Sequence, residues 1–497
     1  MTDVPRIGGT LPPRILAPAP RSGHAWRVQR LVLVVVAVAV LLASAGTALG
    51  HASLVSSSPS ADARLAAAPD RVLLTFSEPV EVLGGEDIDV VDAEGNDATR
   101  GPANNAAEAT VVVIPLVPGL APGTYTVRYQ VLSPDSHVIA GVFVFGVGSG
   151  ELGEPYLTGA SSGPSETGPW GVSSRFLEMV GLGGLVGLLA FRWLVWGPAI
   201  RRADGLSAGD REAALAWGRD VFWVGFGALA VGAMIAEGYL LVVQSASVLG
   251  TDVWSALRDA TGISQVLGDT RFGSLVQLRG GLLFALFAIG AILFIREYGS
   301  STAPRAASLT GPRWSALVMS ALLLAVLGGI AAQGHANVSD FSALQVATQL
   351  VHIVSVAVWI VGLAMVALVH VRLPRLAPGA GAGLAAKVLA RYSRIALVAV
   401  GVAVITGVIR SLAEVDDPAQ LWGTSYGQSI LIKVALLLPI GALALYNRKV
   451  IVALRPVRNP NPPTLRLVRR LAGAELVLSL AIVVVASVLV AQVPGAS

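Results

Sequence analysis

Eight apolar runs, each near the roughly 20 residues that a helix needs to cross a bilayer, occupy the last two thirds of the chain. With 54% hydrophobic and 13% charged residues, the chain is too apolar for a soluble globular protein. We therefore predict an all-α polytopic membrane bundle of eight transmembrane helices over residues 173–497. The runs are 173–197, 219–244, 274–296, 314–333, 346–371, 393–412, 428–447 and 472–492.

Arginine and lysine are concentrated in alternate connections between these runs. Basic residues follow the first run at Arg201 and the third at Arg296, whereas the connections around Asn337 and over 414–417 contain none. Cytoplasmic connections carry this excess of positive charge, so the first helix is expected to run from outside to inside. The same distribution explains the formal net charge of +4, and we expect no nucleic-acid partner.

The N-terminal 50 residues have the layout of a cytoplasmic lead followed by a secretory signal peptide. A basic flank ending at Arg30 precedes the apolar run 31–42, and small residues lie just before His51. Cleavage there makes His51 the first residue of the mature chain. The alternative is an uncleaved anchor, because 30–50 is about 20 residues and just long enough to span.

Residues 51–147 change to short alternating runs such as 71–77 and 124–131, separated by Gly, Pro and Asn. This pattern predicts a small all-β sandwich. The domain contains about three times as many acidic as basic residues, and its negative field attracts cations. Residues 148–172 are rich in Gly, Ser and Pro and are predicted to be a flexible linker that tethers the β-domain above the membrane.

The candidate metal ligands of the β-domain are His51, Asp135 and His137. An N-terminal histidine chelates through its α-amine and Nδ1, and such nitrogen ligands suit Cu(II). Asp135 and His137 are two residues apart, so on an extended stretch both side chains project to one side; a solvated turn is the alternative. There is no cysteine, and no methionine between Met1 and Met179. We therefore predict a tetragonal Cu(II) site rather than a thiolate or thioether site.

Three segments of the β-domain carry a family resemblance. They are His51-Ala-Ser-Leu-Val-Ser-Ser-Ser-Pro59, Phe76-Ser-Glu-Pro79, and Ser133-Pro-Asp-Ser-His137 with Gly141-Val-Phe-Val-Phe145. The domain resembles the CopC copper-binding family over its whole length. The resemblance implies a Greek-key β-sandwich and a Cu(II) histidine brace at His51, Asp135 and His137. Some CopC members add a Met-rich Cu(I) loop, and this sequence departs from them.

The membrane part resembles the CopD family over most of its length. The motifs are Gln333-Gly-His335, His352 with Trp359 and Gly362-Leu363, Arg391-Tyr-Ser393, Thr424-Ser-Tyr-Gly427 with Lys433 and Asn447-Arg448, and Glu475. CopD-like proteins are implicated in copper uptake or homeostasis, often beside or fused to CopC. The order CopC then CopD is a stronger indication than any single motif.

Polar and sulfur-bearing side chains inside the apolar runs are candidates for a copper pathway, because ionisable groups there are costly and usually face a cavity or route. Those expected in the outer half are Glu178, Met179, Met234, Glu237, His335 and His352. Met319 and Met365 are expected in the inner half, where an antiparallel helix pair brings them to one level. Thioether ligands there would suit Cu(I).

Structural alternatives exist for most of these residues. Methionine often fills packing gaps. His352 is then a packing histidine that donates to a backbone carbonyl, and His370 lies at the cytoplasmic interface. Glu475, Lys433 and Arg279 pair inside the bundle in this interpretation, since buried charges seek partners.

The predicted function is copper binding and import across the cytoplasmic membrane, with Cu(II) captured outside. No phosphate-binding loop is present, so transport is expected to be passive or ion-coupled. The expected partners are the copper ion, the lipid bilayer and an extracytoplasmic copper donor or acceptor protein. The main alternative is a membrane-anchored chaperone that supplies extracytoplasmic cuproenzymes. A third alternative is an oxygen-activating enzyme like the lytic polysaccharide monooxygenases. It is disfavoured because the β-domain, about 100 residues without an aromatic platform, offers little polymer-binding surface. We therefore expect no enzyme.

Overall fold

The computed structural model describes residues 52–83, 88–134, 136–149, 151–158, 163–203, 206–299, 313–333, 342–378, 380–415, 417–454 and 462–492. The expectations for the leader and signal, residues 1–50, lie outside the described residues. The same holds for His51, Asp135 and His335.

The N-terminal part is a β-domain of two four-stranded sheets. One sheet has the order β1-β3-β6-β5 and the other β2-β8-β7-β4, so the chain passes repeatedly between the sheets. Only the β2–β8 pair is parallel among the described pairings. The strands are β1 (Leu54–Ser58), β2 (Arg64–Leu65), β3 (Arg71–Phe76), β4 (Asp89–Val91), β5 (Asn104–Asn105), β6 (Val111–Pro115), β7 (Gly123–Leu132) and β8 (Val138–Val147).

Alternation along the strands builds the core of the β-domain. In β3, Val72, Leu74 and Phe76 are buried, while the residues between them are more exposed. The buried faces of both sheets join in one apolar cluster, and Tyr125 stacks on Phe145 within it. The all-β prediction is confirmed, because the strand period of two places every second side chain in this core.

The hairpin of β7 and β8 carries the turn in which the candidate ligands lie. Leu132 pairs with Val138, so residues 133–137 close the hairpin. The N–H of Ser133 donates to the carbonyl of His137 at 2.9 Å, and Ser136 has φ of 70°. The described residues on both sides of Asp135 therefore belong to a turn, which is the alternative that the sequence left open, while Asp135 itself lies outside the described residues.

The membrane part contains eleven described helices. They are α1 (Pro169–Arg201, with a π-helical turn at Phe191–Trp196), α2 (Ala208–Val248), α3 (Val253–Arg258), α4 (Ala260–Asp269), α5 (Arg271–Gly299), α6 (Arg313–Gln333), α7 (Ser342–Leu376), α8 (Gly381–Glu414), α9 (Gln420–Gly423), α10 (Ser425–Leu454) and α11 (Pro462–Val490). Eight of them are long and apolar enough to span a membrane, which confirms the predicted number: α1, α2, α5, α6, α7, α8, α10 and α11.

The predicted linker, residues 148–172, is bonded along its described length. The N–H groups of Gly153 and Tyr156 donate to the hydroxyls of Thr124 and Thr126 on β7, at 2.8 and 2.9 Å. Helix α1 begins at Pro169, inside the segment. The segment thus differs from a simple tether, because it lies along the β-domain and then enters the first membrane helix.

The β-domain rests directly on one end of the bundle, here called the β-domain end. An apolar cluster there joins Leu132 of β7 to Leu240 and Val248 of α2 and to Phe272 of α5. At the rim, the Gln130 side-chain amide donates to the carbonyls of Ser247 and Val248 at 2.8 and 2.9 Å. Those carbonyls belong to the last turn of α2, which has no partners within its own helix.

Candidate functional site

The hairpin turn over 133–137 is the centre of the candidate site. His137 is only 6% exposed and Ser133 only 2%. The backbone N–H of Ala52 lies 3.4 Å from the Ser133 hydroxyl oxygen, and Ala52 is itself buried. The first described residue of the β-domain therefore lies against the turn that carries His137.

A carboxylate from the segment before α1 reaches the same turn. Oε2 of Glu166 lies 3.4 Å from Nε2 of His137 and accepts a hydrogen bond from Arg175 of α1 at 2.7 Å. Its Oε1 accepts the N–H of Val138 at 3.1 Å. Glu166 is largely buried, so its charge acts on His137 with little solvent screening. A carboxylate oxygen beside an imidazole nitrogen is a donor set that Cu(II) accepts.

Two long side chains of the bundle hold the turn from below. The Gln244 amide of α2 donates to the carbonyl of Ser136 at 2.7 Å, and Gln244 is 3% exposed. The guanidinium of Arg271, the first residue of α5, donates to the carbonyls of Pro134 at 2.7 Å and Ala332 at 2.9 Å. The turn is therefore fixed at the β-domain end of α2, α5 and α6.

Glu81 completes this contact. It accepts the backbone N–H of Arg271 at 3.2 and 3.3 Å, and its own backbone pairs with Leu132 next to the turn. Burial raises the pKa of the Glu81 carboxyl above its usual value, and the Arg271 backbone donor offsets this only in part. In the docked state, in which the β-domain contacts the bundle, Glu81 consequently holds a proton more readily than it does when this contact is open.

A charged cluster lies deeper, within the bundle. Arg279 of α5, fully buried, contacts Glu178 of α1 at 3.4 Å and Glu237 of α2 at 2.7 Å, and it donates to Gln333 of α6 at 2.5 Å. Gln244 lies seven residues after Glu237 in α2, about 10 Å of helix nearer to the β-domain. Glu178 and Glu237, expected as pathway residues, are thus brought together by a guanidinium.

His352 of α7 contacts a hydroxyl and also a backbone carbonyl, that of Ala403, as expected for a packing histidine. Its Nδ1 lies 3.0 Å from the Thr406 hydroxyl oxygen of α8, and that hydroxyl donates to the Val402 carbonyl at 2.7 Å. The Thr406 hydroxyl has one hydrogen, and it donates this hydrogen to the Val402 carbonyl. In its contact with His352 the hydroxyl oxygen must therefore accept, so Nδ1 of His352 carries the ring proton. The lone pair then lies on Nε2, the nitrogen that is able to bind a metal.

The charges around His352 are mainly positive. Arg410 pairs with Glu414 at 2.6 Å, and the Tyr426 hydroxyl donates to the same carboxylate. Lys433 and Arg410 both act electrostatically on the His352 ring. Two cations and one carboxylate leave this region with an excess of positive charge when all are ionised, in contrast to the cluster around Arg279.

The candidate methionines lie among apolar side chains. Met319 is 1% exposed and packs in the same apolar cluster as Met234 and Met365. Met179 lies apart from them, with its sulfur 3.8 Å from the Ser487 hydroxyl of α11. These surroundings agree with gap filling. The common level expected for Met319 and Met365 stays a prediction, because the cluster they share also contains Met234, which was expected in the outer half.

His370 is buried at 8% exposure, and its Nδ1 donates to the Val366 carbonyl at 2.9 Å. A buried histidine satisfied by its own helix needs no ion. The expectation that His370 lies at the cytoplasmic interface stays a prediction.

Within the part of the chain that the structure describes, no three His, Asp or Glu side chains converge as a metal site. His137 is the one predicted β-domain ligand that is described. Sequence reasoning missed Glu166, Gln244 and Arg271. Glu166 lay in a segment judged by composition alone, although an acidic residue just before a helix start was a usable signal.

Comparisons with known proteins assign three regions of the chain. Residues 54–148 match the CopC domain, residues 167–343 match the copper resistance protein D-like N-terminal domain, and residues 386–489 match copper resistance protein D. Together the three matches extend from the β-domain through the bundle.

The chain is also similar to individual known proteins. Copper transport protein CutJ of Bacillus subtilis is 26% identical over 409 residues, covering 80% of this chain and 68% of that protein. Protein YobA of Escherichia coli K12 is 36% identical over 98 residues, covering 20% of this chain and 78% of YobA. The crystal structure of CopC from Methylosinus trichosporium OB3b is 33% identical, with a TM-score of 0.18, and covers 21% of this chain and all of that one.

Proposed function

Because the chain belongs to the copper-resistance proteins, with CopC and CopD domains in one polypeptide, we propose that it carries copper across the cytoplasmic membrane. The β-domain captures Cu(II) on the extracytoplasmic side, and the bundle moves copper inward. The observation that carries this proposal is the docking of the His137 turn on the polar ends of α2 and α5.

The capture site is a histidine brace formed by His51, Asp135 and His137. Ala52 supports it, because its N–H lies 3.4 Å from the Ser133 hydroxyl oxygen and consecutive Cα atoms are only about 3.8 Å apart. The described chain therefore begins beside the turn. His51 then supplies its α-amine and Nδ1, His137 a ring nitrogen, and Asp135 a carboxylate oxygen.

The β-domain lies outside the cell in this proposal. The secretory signal before His51 and the basic connections on the opposite side of the bundle support this orientation independently. The β-domain end of α2, α5 and α6 is then the outer end. Copper leaves the turn directly above these helices, without diffusing through bulk water.

The route through the bundle starts at His335 and His352. Nε2 of His352 is the available ring nitrogen, and neutral imidazole binds copper in both oxidation states. Met319 and Met365 follow, and their thioethers suit Cu(I) once a one-electron reductant from outside this chain has reduced the captured Cu(II). Met179 and Met234 flank the route. Glu178 and Glu237 lie near the outer end of the route, where both contact Arg279.

A second function is delivery of copper to extracytoplasmic cuproenzymes without translocation. The specific observation in its favour is the excess of positive charge around His352, which opposes the passage of a cation. In both functions copper is cargo, and we propose transport rather than catalysis.

Intracellular copper, measured by mass spectrometry, tests the proposal. Cells with the protein should accumulate more copper than cells without it, and the double variant His335→Ala/His352→Ala should lose the difference at equal expression. The chaperone function gives the opposite pattern: intracellular copper stays equal, and an extracytoplasmic copper enzyme loses its metal when the protein is missing.

A further inference from the structure

The cluster around Arg279 contains more acid than base. Two carboxylates, Glu178 and Glu237, share one guanidinium at 3.4 and 2.7 Å, and Gln333 adds only a neutral amide. Glu178 is 7% exposed, Glu237 4% and Arg279 0%. With every group ionised, the cluster holds one uncompensated negative charge inside a membrane helix bundle, which is energetically unfavourable.

Two oxygens of these carboxylates are left without donors. Oε1 of Glu178 and Oε1 of Glu237 are buried and accept no hydrogen bond from any residue that the structure describes. Both Nη atoms of Arg279 are already directed to Glu237 and Gln333. Oε1 of Glu178 lies 3.4 Å from Nη1 of Arg279, near its charge but without a hydrogen bond, and Oε1 of Glu237 has no donor. A buried carboxylate oxygen without a donor is strongly destabilising, and a proton bound by one of the two carboxyl groups supplies the missing hydrogen.

A second buried ion pair in the same bundle shows the balanced case. At the opposite end of α5, Glu297 pairs with Arg192 at 3.2 Å and accepts the indole N–H of Trp223 at 2.7 Å. One carboxylate meets one guanidinium there, and neither Glu297 oxygen is left without a donor. The excess of one carboxylate over guanidinium groups is therefore specific to the Arg279 cluster, and it is not a general result of burying Glu beside Arg in this bundle.

We propose that Glu178 and Glu237 share one exchangeable proton and form an intramembrane proton-binding site that neither the family matches nor the relatives assign. The proton bonds to a carboxylate oxygen, makes one of the two acids neutral, and leaves the other paired with Arg279. It comes from water and returns to water as H⁺, and no electron moves. Arg279 disfavours a copper ion at this position, because it would face a fixed positive charge.

The charged groups that act on Glu237 from the packed helices are Arg279 and Glu178. Arg175 lies one turn above Glu178 in α1 and is bonded to Glu166. Arg271 lies two turns above Arg279 in α5 and is bonded to Glu81 and two carbonyls. Neither upper arginine supplies the missing charge, since each is already engaged at the β-domain contact.

The site gives the proposed transport a driving ion. Copper descending past this level adds positive charge, which favours release of the shared proton, and return of the proton resets the cluster. The proton site itself rests on the geometry, and only this coupling rests on the proposed function.

Infrared spectroscopy of the full-length protein in lipid nanodiscs tests the proton directly. At neutral pH and without copper, the wild type should show a protonated-carboxyl band that shifts in D₂O. Glu178→Gln and Glu237→Gln should each remove this component, because the remaining carboxylate pairs with Arg279. The matched control Glu297→Gln should keep it.

A wild type without the band, or a band that both glutamate variants retain, overturns the proposal. Titration of the wild type to alkaline pH gives a reading that needs no variant, and the same band should fall. A band that stays constant across the whole titration also overturns an exchangeable proton.

Proteoliposomes separate this inference from the proposed function. With copper supplied outside, the wild type should move copper together with a pH change reported by an internal dye, and Glu237→Gln should show a smaller pH change for each copper ion moved. Copper movement without proton movement in the wild type overturns the coupling and leaves transport standing. An infrared band without copper movement overturns transport and leaves the proton site standing.

Discussion

Nε2 of His137 lies 3.4 Å from Oε2 of Glu166. The two residues belong to different parts of the chain, since His137 lies within the CopC match and Glu166 lies beyond its end at residue 148. Arg175 of α1 holds the same oxygen at 2.7 Å. The candidate metal turn is therefore linked through one carboxylate to the first membrane helix.

Replacing Glu166 with Gln should weaken Cu(II) binding by the full-length protein about tenfold, or about 1.4 kcal/mol. The reason is loss of a buried negative charge beside His137. Titration of the purified protein against a competing chelator measures the effect. Glu154→Gln, an exposed acid in the same segment, is the control and should bind like the wild type. Equal affinities for all three proteins would show that Glu166 does not act on the metal.

The mature N-terminus should be His51. N-terminal sequencing of the protein purified from its membrane tests this cleavage site.

A β-domain of residues 51–150, which has its own apolar core, should bind one Cu(II). An extra residue before His51 should weaken binding by orders of magnitude, because it removes the chelating amine. A chain that starts at Met1, or equal binding by both forms, contradicts the brace.

Arg271→Ala should lower copper accumulation while leaving the Cu(II) affinity of the protein unchanged. The change removes two guanidinium bonds to carbonyls, each worth about 1.5–3 kcal/mol, and so loosens the turn from α5 and α6. Accumulation and chelator titration are measured on the same variant. Arg258→Ala removes an exposed arginine nearby and should change neither quantity. Unchanged accumulation in Arg271→Ala would separate docking from transport.

His352→Ala should abolish copper accumulation, His335→Ala should reduce it, and His370→Ala should leave it nearly unchanged at equal expression. His370 is satisfied by the Val366 carbonyl, whereas Thr406 orients His352 with Nε2 available. Thr406→Val should give an intermediate loss, because the ring keeps its ligand atom but loses its orientation. Normal accumulation in His352→Ala would make it a packing residue.

The contribution of Glu81 to the stability of the docked state should be larger at mildly acidic pH than at neutral pH. Its pKa is raised by burial, so the docked state binds the proton more tightly and this contribution falls as pH rises through the raised pKa. Glu81→Gln, which still accepts the Arg271 N–H, should remove that pH dependence. Thermal unfolding of the wild type and the variant across this range measures it, and parallel curves would contradict the assignment.

The membrane spans and the two-sheet domain were predictable because their signals are local. Apolar runs mark the helices, and alternation such as that of Val72, Leu74 and Phe76 marks a strand. The bend at Ser136 was not predictable, because a left-handed residue inside a turn leaves no period. Long-range contacts also escaped, since Gln244 and Ser136 are 108 residues apart and meet only through packing.

Gln130 of the β-domain stabilises the end of a membrane helix. By donating to the carbonyls of Ser247 and Val248, it completes a helix end that its own backbone leaves open. Removing the domain, or exchanging it for that of a relative without an amide at this position, exposes two carbonyls at the rim of the bundle. The two parts are therefore not interchangeable modules, and a truncated chain that fails to transport reports damage to α2 as much as loss of the metal site.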